Sequence, residues 1–455
     1  MISMTRLATA MGVATLAGAV AATEKMPTQQ QMWEIIQKQQ QEIEALKKRL
    51  ETGAKPEAQA ESSPEEVKEL KRQTGILAQE MEKMRTLLVI PEEPKYKSMY
   101  GLGPAASKVY QVSKGLSIGG YGEGRYQIFT DDQNGKKDNA DFVRLVLYTG
   151  YKFNDWILFN SELEFEHAST GKSGSVSVEF ASLDFFLDPM ANIRTGLVLV
   201  PIGFINQIHE PPFYFGNNRP EVEKRIIPST WRELGVGLFG EIIPGLSYTT
   251  YVINGMDATG FESGGIRGGR QSGSKVKAEN LAWVGRLDYT VPQLAGLTVG
   301  ASAYVGNSGQ DEIGSSSVLT QLYEGHVQWK YRGWEFRALG AWSHIGDADK
   351  VSRYVGETVG EQQFGWYTEL GYNILPLFTD STHYLAPFFR FEQWDTIAKA
   401  PKGFSDDGRF NRYLWQVGLH YKPIPNIVIK ADYRNITAKK GDVPDEFNLG
   451  IGFIF

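Results

Sequence analysis

The amino-acid sequence predicts an all-β transmembrane barrel of about 16 antiparallel strands, preceded by an α-helical coiled-coil segment. Three observations carry that prediction. Segments in which large apolar residues alternate with small or polar ones recur from about residue 115 to the end. In many of them the charged residues share one face at the strand centre. Ahead of them lies a stretch of different pattern, in which apolar residues step by three and four.

Composition sets the outer bounds. A chain of 455 residues could form one large barrel or two to three ordinary domains. Mean hydropathy is −0.30, and past the first thirty residues no apolar run approaches the ~20 residues that a membrane helix needs. A helical membrane bundle is thereby excluded, whereas a barrel, whose strands are half polar, is not. The 49 glycines and 12% aromatics fit many strands, tight turns and interfacial girdles. A net charge of −6 argues against a nucleic-acid partner. The absence of cysteine removes disulfide scaffolds, thiolate metal sites and a cysteine-linked lipid anchor, and it suits an oxidising compartment.

The N-terminus is expected to be an export signal. Arg6 precedes a small, apolar stretch over 7–20, and Ala17, Ala19, Ala21 and Ala22 supply the small residues that a signal peptidase reads. Residues 1–22 are read as the signal peptide, cut near Ala21 or Ala22. Residues 23–90 follow as a periplasmic coiled coil. Met32, Ile36, Gln39, Ile43, Leu46 and Leu50 make an a/d seam, repeated by Val67, Leu70, Thr74, Leu77, Met81, Met84 and Leu88. Gly53, Pro56 and Pro64 mark a flexible break over 52–64. So narrow a seam needs partner helices, and self-association of identical chains supplies them most simply. The mixture of Ile36 and Ile43 with Gln39 and Thr74 leaves dimer and trimer both open. Residues 91–114 carry Pro91, Pro94, Gly101, Gly103 and Pro104 without a period and read as the linker into a barrel at 115–455.

The strands then follow in order, with the charged face taken as the water side. Over 116–129, Glu123, Arg125 and Gln127 oppose Gly122, Gly124, Tyr126 and Ile128. Over 142–151, Arg144 opposes Leu145 and Leu147, and over 157–167 the acidic row Glu162, Glu164 and Glu166 opposes Leu163 and Phe165. Later, Glu324, His326, Gln328 and Lys330 oppose Tyr323, Val327, Trp329 and Tyr331, and Glu335 with Arg337 opposes Trp334, Phe336 and Trp342. Near the end Lys430, Asp432 and Arg434 oppose Ile429, Ala431 and Tyr433, and the last strand alternates from Phe447 to a terminal Phe455. A soluble sandwich would have to bury one of these faces. A barrel accounts for both, with the apolar face in lipid and the charged face on a wet lumen. The lumen-lining candidates are therefore Arg125, Arg144, Glu162, Glu164, Glu166, Arg286, Lys330, Arg337, Arg390, Lys430 and Arg434. Aromatic pairs such as Trp329 with Trp334, or Trp366 with Tyr372, fit interfacial girdles. The strands over 176–187 and 193–201 have the weakest patterns. Eighteen strands, rather than 16, would follow if 267–276 hid another pair; that Gly, Ser and Arg stretch reads as an external loop.

The longest connection, 201–229, runs through Phe204, His209, Glu210, Pro211, Pro212, Tyr214, Arg219, Glu221, Glu223, Lys224 and Arg225. Nearly thirty residues without a period is the mark of a functional loop, and in a barrel of this size a natural place for it is inside the lumen, narrowing the pore.

The sequence at 229–240 (Ser-Thr-Trp-Arg-Glu-Leu-Gly-Val-Gly-Leu-Phe-Gly), Tyr-Val-Ile-Asn-Gly at 251–255, Pro-Ile-Gly-Phe at 201–204 and the terminal Phe455 resemble phosphate-selective porins of Gram-negative outer membranes, the porin O and P type. The resemblance covers about 116–455. It implies a trimeric, sixteen-stranded porin whose third external loop folds inward as the constriction, with basic residues passing anions. On that resemblance 201–229 is the loop, and Arg219, Lys224 and Arg225 are its anion contacts. The coiled coil is an addition to the family pattern, and the mixed charge of the lumen face fits a general pore as well as a phosphate-selective one.

A catalytic role finds no footing in the sequence. The six histidines stand apart, with neither a His-Glu-x-x-His helix nor a Gly-x-Ser-x-Gly elbow. A strand spaces Glu162, Glu164 and Glu166 about 6.6 Å apart in one line, which suits a solvated wall better than a metal site. The expected function is passive diffusion of small hydrophilic solutes through a homo-oligomeric outer-membrane porin, trimeric by the resemblance, with no enzyme activity and no cofactor, and with anion or phosphate preference as the finer expectation. The alternative is an outer-membrane tether that uses the coiled coil, with the barrel mainly an anchor.

Overall fold

The computed structural model describes residues 97–130, 135–314 and 317–455, together with Arg72. The signal peptide, the coiled coil and the first part of the linker expected from sequence lie outside the described residues. The described chain forms sixteen strands: β1 (Gly115–Phe129), β2 (Asn139–Lys152), β3 (Ile157–Glu166), β4 (Val176–Asp188), β5 (Ala191–Leu199), β6 (Arg232–Ile243), β7 (Leu246–Asn254), β8 (Leu281–Thr290), β9 (Leu297–Asn307), β10 (Leu319–Tyr331), β11 (Trp334–Ile345), β12 (Gln362–Tyr372), β13 (Tyr384–Lys399), β14 (Asn411–Ile424), β15 (Ile427–Ala438) and β16 (Glu446–Ile454). Each pairs antiparallel with its neighbours in sequence, and β1 pairs with β16 from Tyr121 opposite Ile454 to Phe129 opposite Glu446, which closes the barrel. Phe455 completes the closure, exchanging backbone hydrogen bonds with Gly120. The two weakly patterned strands are present as β4 and β5. Residues 267–276 contain a 3₁₀ turn, Arg267–Gly269, and no further strand pair, so the count is sixteen among the described residues.

The alternation predicted from sequence separates two surfaces. Leu116 and Ile118 are 60% and 55% exposed on the outside, while Ser117 and Tyr121 of the same strand face in and are buried. The same holds around the ring: Phe165, Val236, Leu287, Trp334, Val417 and Ile451 point out, and Glu164, Arg286, Glu324, Arg390 and Asp432 point in. An outer belt so apolar and so continuous far exceeds the patch that a soluble monomer tolerates, and it matches a surface in hydrocarbon. Aromatic pairs gather at one rim of the belt, with ring centroids 5.0 Å apart for Tyr151 and Phe153, and 4.5 Å apart for Trp334 and Tyr372. That rim carries the short connections, such as 189–190, 244–245 and 425–426, and it is the rim at which β1 begins and β16 ends. The opposite rim carries the long ones, 200–231, 255–280 and 346–361.

The interior is occupied rather than empty. Three segments fill it: residues 97–114 with the one-turn helix α1 (Lys108–Gln111), the connection 200–231 with the one-turn helix α2 (Val222–Arg225), and part of 255–280. Val200, Ile202, Val222, Ile226, Ile227 and Trp231 of the second segment pack with Tyr251, Tyr304 and Tyr367 of the wall into one apolar cluster. This burial lets an irregular loop hold a fixed course through a polar barrel.

Candidate functional site

The connection between β5 and β6 crosses the lumen and is fixed there mainly by basic wall residues. Its two stems are stapled by Asn206, whose side-chain amide donates to Val200 O at 2.6 Å and Trp231 O at 2.8 Å while its Oδ1 accepts from Trp231 N at 2.7 Å. Glu223 of α2 accepts from Ile205 N at 2.7 Å and from the Tyr367 hydroxyl at 2.6 Å, tying loop to loop and loop to β12. Around the far wall, Arg286 donates to Gly203 O at 2.6 Å and Arg337 to Phe213 O at 2.6 Å. Lys430 donates to Tyr214 O at 3.0 Å and Gly216 O at 2.9 Å. Arg390 donates to Phe215 O at 2.7 Å and Asn218 O at 3.2 Å, and its other edge holds Glu369 at 2.7 Å. Arg434 bridges Glu221 of the loop at 2.8 Å and Glu446 of β16 at 2.7 Å. At the apex Gly216 adopts a φ of +73°, and a Cβ there would stand 2.4 Å from Gln416 Nε2, so the close approach requires glycine.

The eleven residues singled out as lumen lining all stand in the inward rows. Arg286, Arg337, Arg390, Lys430 and Arg434 serve as loop anchors. Arg125 hydrogen-bonds the Asn218 side chain, and Arg144 sits between Glu123 at 2.8 Å and Glu164 at 2.7 Å. The acidic row divides: Glu162 contacts His209 Nε2 of the loop at 3.0 Å, Glu164 takes Arg144, and Glu166 accepts from Ser175 Oγ at 2.8 Å near the long-loop rim. Lys330 pairs with Glu335 at 3.1 Å at the short-turn rim. Mixed charge on the inner wall is thus largely spent on ion pairs and on holding the loop.

The loop's own charges are unequal in exposure. Glu210 is buried, accepts from Ala105 N at 2.9 Å and Ala106 N at 3.2 Å, and is pushed up to about 8, burial outweighing the two backbone donors. Burial likewise raises Glu223. Burial also works against the charge of Glu221, but Lys224, Arg434 and Arg225 outweigh it and hold its carboxyl far below the usual range. On the basic side, Lys224 is exposed and its ammonium has no ion pair among the described residues. Arg225 makes a partly exposed pair with Glu221 at 3.3 Å. Arg219 keeps Nε and Nη2 without protein acceptors. Those two nitrogens of Arg219 are buried, so the exposed charge of the loop is that of Lys224 and, in part, Arg225.

Two further arginines join this group. Arg270 donates to Ser229 O at 2.7 Å and Thr230 O at 2.9 Å, and Arg267 donates to Thr230 Oγ1 at 3.0 Å and to Ser229 O. Burial lowers Arg267 to about 9, with repulsion from Arg270, Arg219, Arg225 and Arg144 adding to it, so these guanidiniums lie near enough to feel one another. The stretch 267–276, expected as an external loop, lies in the long connection 255–280 and packs inward from it. Its Gly-rich chain turns onto the end of the crossing loop because the arginines find backbone acceptors at 229–230, and a backbone acceptor leaves no mark in a sequence.

No family model matches the chain. An uncharacterized protein of Aquifex aeolicus is 37% identical over 388 residues, which span 82% of this chain and 87% of that protein. The chain belongs to one family with that protein. Among solved structures, OmpF of Salmonella typhi in complex with daunomycin aligns with a TM-score of 0.51 at 13% identity, covering 75% of this chain and 98% of that one. An anion-selective porin from Comamonas acidovorans aligns with a TM-score of 0.50 at 10% identity, covering 75% and 99%. A loop L8 deletion mutant of OmpT, an outer membrane protein of Vibrio cholerae, aligns with a TM-score of 0.51 at 11% identity, covering 76% and 100%. Identities this low establish a shared fold, the closed sixteen-stranded barrel of porins.

Proposed function

We propose that the protein is an outer-membrane porin that passes small hydrophilic solutes by diffusion and favours anions. The observation that carries this reading is the unequal exposure of charge on the crossing loop: Lys224 is exposed and Arg225 partly so, while Glu210 and Glu223 are buried and Glu221 is held by Arg434. Cations at a narrow section lower the barrier for anions, with an effect confined to about a Debye length of ~8 Å at physiological salt. Arg219, Lys224 and Arg225 are the proposed anion contacts, and Arg267 and Arg270 extend them. The barrel needs no catalytic group or cofactor for this task. Assembly as a trimer agrees with an OmpT of Vibrio cholerae described in a trimer form, which aligns with a TM-score of 0.50 at 12% identity. The N-terminal region, with its export signal over 1–22 and heptads over 23–90, belongs to the same proposal as a periplasmic oligomerisation element.

The test is conductance of the purified protein in a planar bilayer, with the reversal potential taken across a chloride gradient and phosphate then added as competitor. Steady steps that select anions support the proposal, and block by phosphate narrows it to a phosphate-selective porin. Steps without preference leave a general porin. The packed interior favours one second reading, an anchor for a periplasmic tether, and a folded barrel with no conductance would make that the leading one.

A further inference from the structure

Residues 99–110, ahead of the first strand, lie inside the barrel against the inner faces of β1 to β5. Leu102, Ala105 and Ala106 pack on Tyr121, Tyr148 and Phe180. Arg194 donates to Tyr100 O at 3.2 Å, the Tyr110 hydroxyl donates to Asp184 at 2.8 Å, and the Asn160 side chain donates to Ala106 O at 2.9 Å. From the other side the Glu210 carboxyl of the crossing loop takes the backbone N–H groups of Ala105 and Ala106. The segment is gripped between wall and loop, at the short-turn end. Beside it lies a cavity of about 550 Å³ lined by Tyr100, Gly101, Asn192, Gln207, Glu241 and Asp288.

Two features distinguish this segment from a fixed filler. The wall beneath it is mixed: beside Tyr121, Tyr148 and Phe180 it carries Ser117, Asn160, Ser182, Asp184 and Arg194, groups that water satisfies when the segment leaves. It also joins β1 through Gln111, Ser113 and Lys114, all exposed, and through Gly115, whose φ is +95° and whose Cβ position has nothing within 4 Å. The stretch 111–114 is thus largely exposed up to the point where Gly115, opposite Lys152, enters the β1 ladder.

We propose that residues 97–114 form a gate at the short-turn mouth, closed when seated against β1 to β5 and latched by Glu210, and open when the segment swings out on the 111–115 hinge. The inference rests on the channel reading. The chain has no cysteine, which makes a reversible lock clean to build. The Cβ of a residue at 150 would lie 2.6 Å from Val109 Cβ, closer than two such carbons can stand, so the segment must move outward by about 1 Å to bring Val109→Cys and Gly150→Cys into disulfide range, about 3.5–4.5 Å between Cβ atoms.

Single-channel conductance of the full chain is recorded for the wild type, for the cysteine pair before and after reductant, and for Glu210→Ala. The expected result is low conductance in the oxidised pair, a rise of at least about twofold on reduction, and a similar rise for Glu210→Ala over wild type, since the seated segment covers about a third of the wall. Steps of equal size in all of them overturn the gate and leave the channel intact. Absence of steps in every form, with the barrel folded, overturns the channel reading and the gate with it. If the cysteine pair fails to give a heat-modifiable barrel on a gel, Glu210→Ala against wild type decides alone.

Discussion

Reversing the charge of Lys224 gives the sharpest measure of the proposed selectivity. The side chain is exposed on α2 and makes no ion pair among the described residues, so Lys224→Glu disturbs little packing, although it replaces an attraction to Glu221 by a repulsion and should cost about 1 kcal/mol of stability. The swing is two elementary charges. For an ion passing at about 7 Å in water it amounts to ~1.2 kcal/mol before screening, and a Debye length of ~8 Å leaves ~0.5 kcal/mol. The effect has opposite signs for chloride and potassium, so their permeability ratio should move by ~1 kcal/mol, a fall of about fivefold in anion preference. The assay is the reversal potential across a potassium chloride gradient, repeated at high salt, where the change should shrink. A folded variant with its ratio within about twofold of wild type, or with a shift that salt leaves untouched, would refute the placement of Lys224 on the ion path.

Two other perturbations address the scaffold of the site. Arg390→Met removes both loop contacts and the nearer cation of buried Glu369, which keeps Arg337 at 3.5 Å, while Glu392 keeps the Val222 N–H, so the barrel should lose about 2–4 kcal/mol, read as a lower unfolding midpoint that Glu369→Gln in the same chain partly restores. Glu210, raised from 4.5 to about 8, binds its proton more tightly folded than unfolded, so its contribution to stability is full below about pH 4.3 and is lost as pH rises toward about 8. The difference between wild type and Glu210→Gln in chemical melts should therefore change by a few kcal/mol at most across that range, in favour of the wild type at the acid end; a difference independent of pH would contradict the burial of this carboxyl.

The strands were legible because their cause is local. A period of two needs only that one face meet hydrocarbon and the other a polar interior, so Glu162 and Glu164 against Leu163 and Phe165 announce a wall strand without any neighbour being known. The length of 201–229 was equally plain. What the sequence withheld is where that chain goes, because Arg337, Arg390 and Lys430 bind backbone carbonyl groups at 213–218, and any residue supplies a carbonyl. The same blindness made Arg267 and Arg270 read as an outer loop and made 97–114 read as a plain connection. Gly101, Gly103, Pro104, Ala105 and Ala106 show no period, yet they fit a narrow space between wall and loop because they are small.

Net charge misleads about such a channel for a related reason. The chain carries 53 acidic against 47 basic residues, which taken alone would suggest a passage unfriendly to anions. A field acts where charge is neither paired nor buried, and pairing here is asymmetric. Of the basic wall residues that bind the loop, Arg286, Arg337, Arg390 and Arg434 also pair with carboxylates, and Lys430 meets neutral loop carbonyls alone. The acidic residues of the loop are consumed differently: Glu223 and Glu210 take N–H and hydroxyl donors in dry surroundings that disfavour the carboxylate, and Glu221 meets Arg434. Burial disfavours charge of either sign, raising Glu210 and Glu223 and lowering Arg267 and Arg270. The proposal puts the exposed charge of Lys224 and Arg225 on the ion path, and the sign of the reversal potential, rather than any count of residues, is the quantity that reads it.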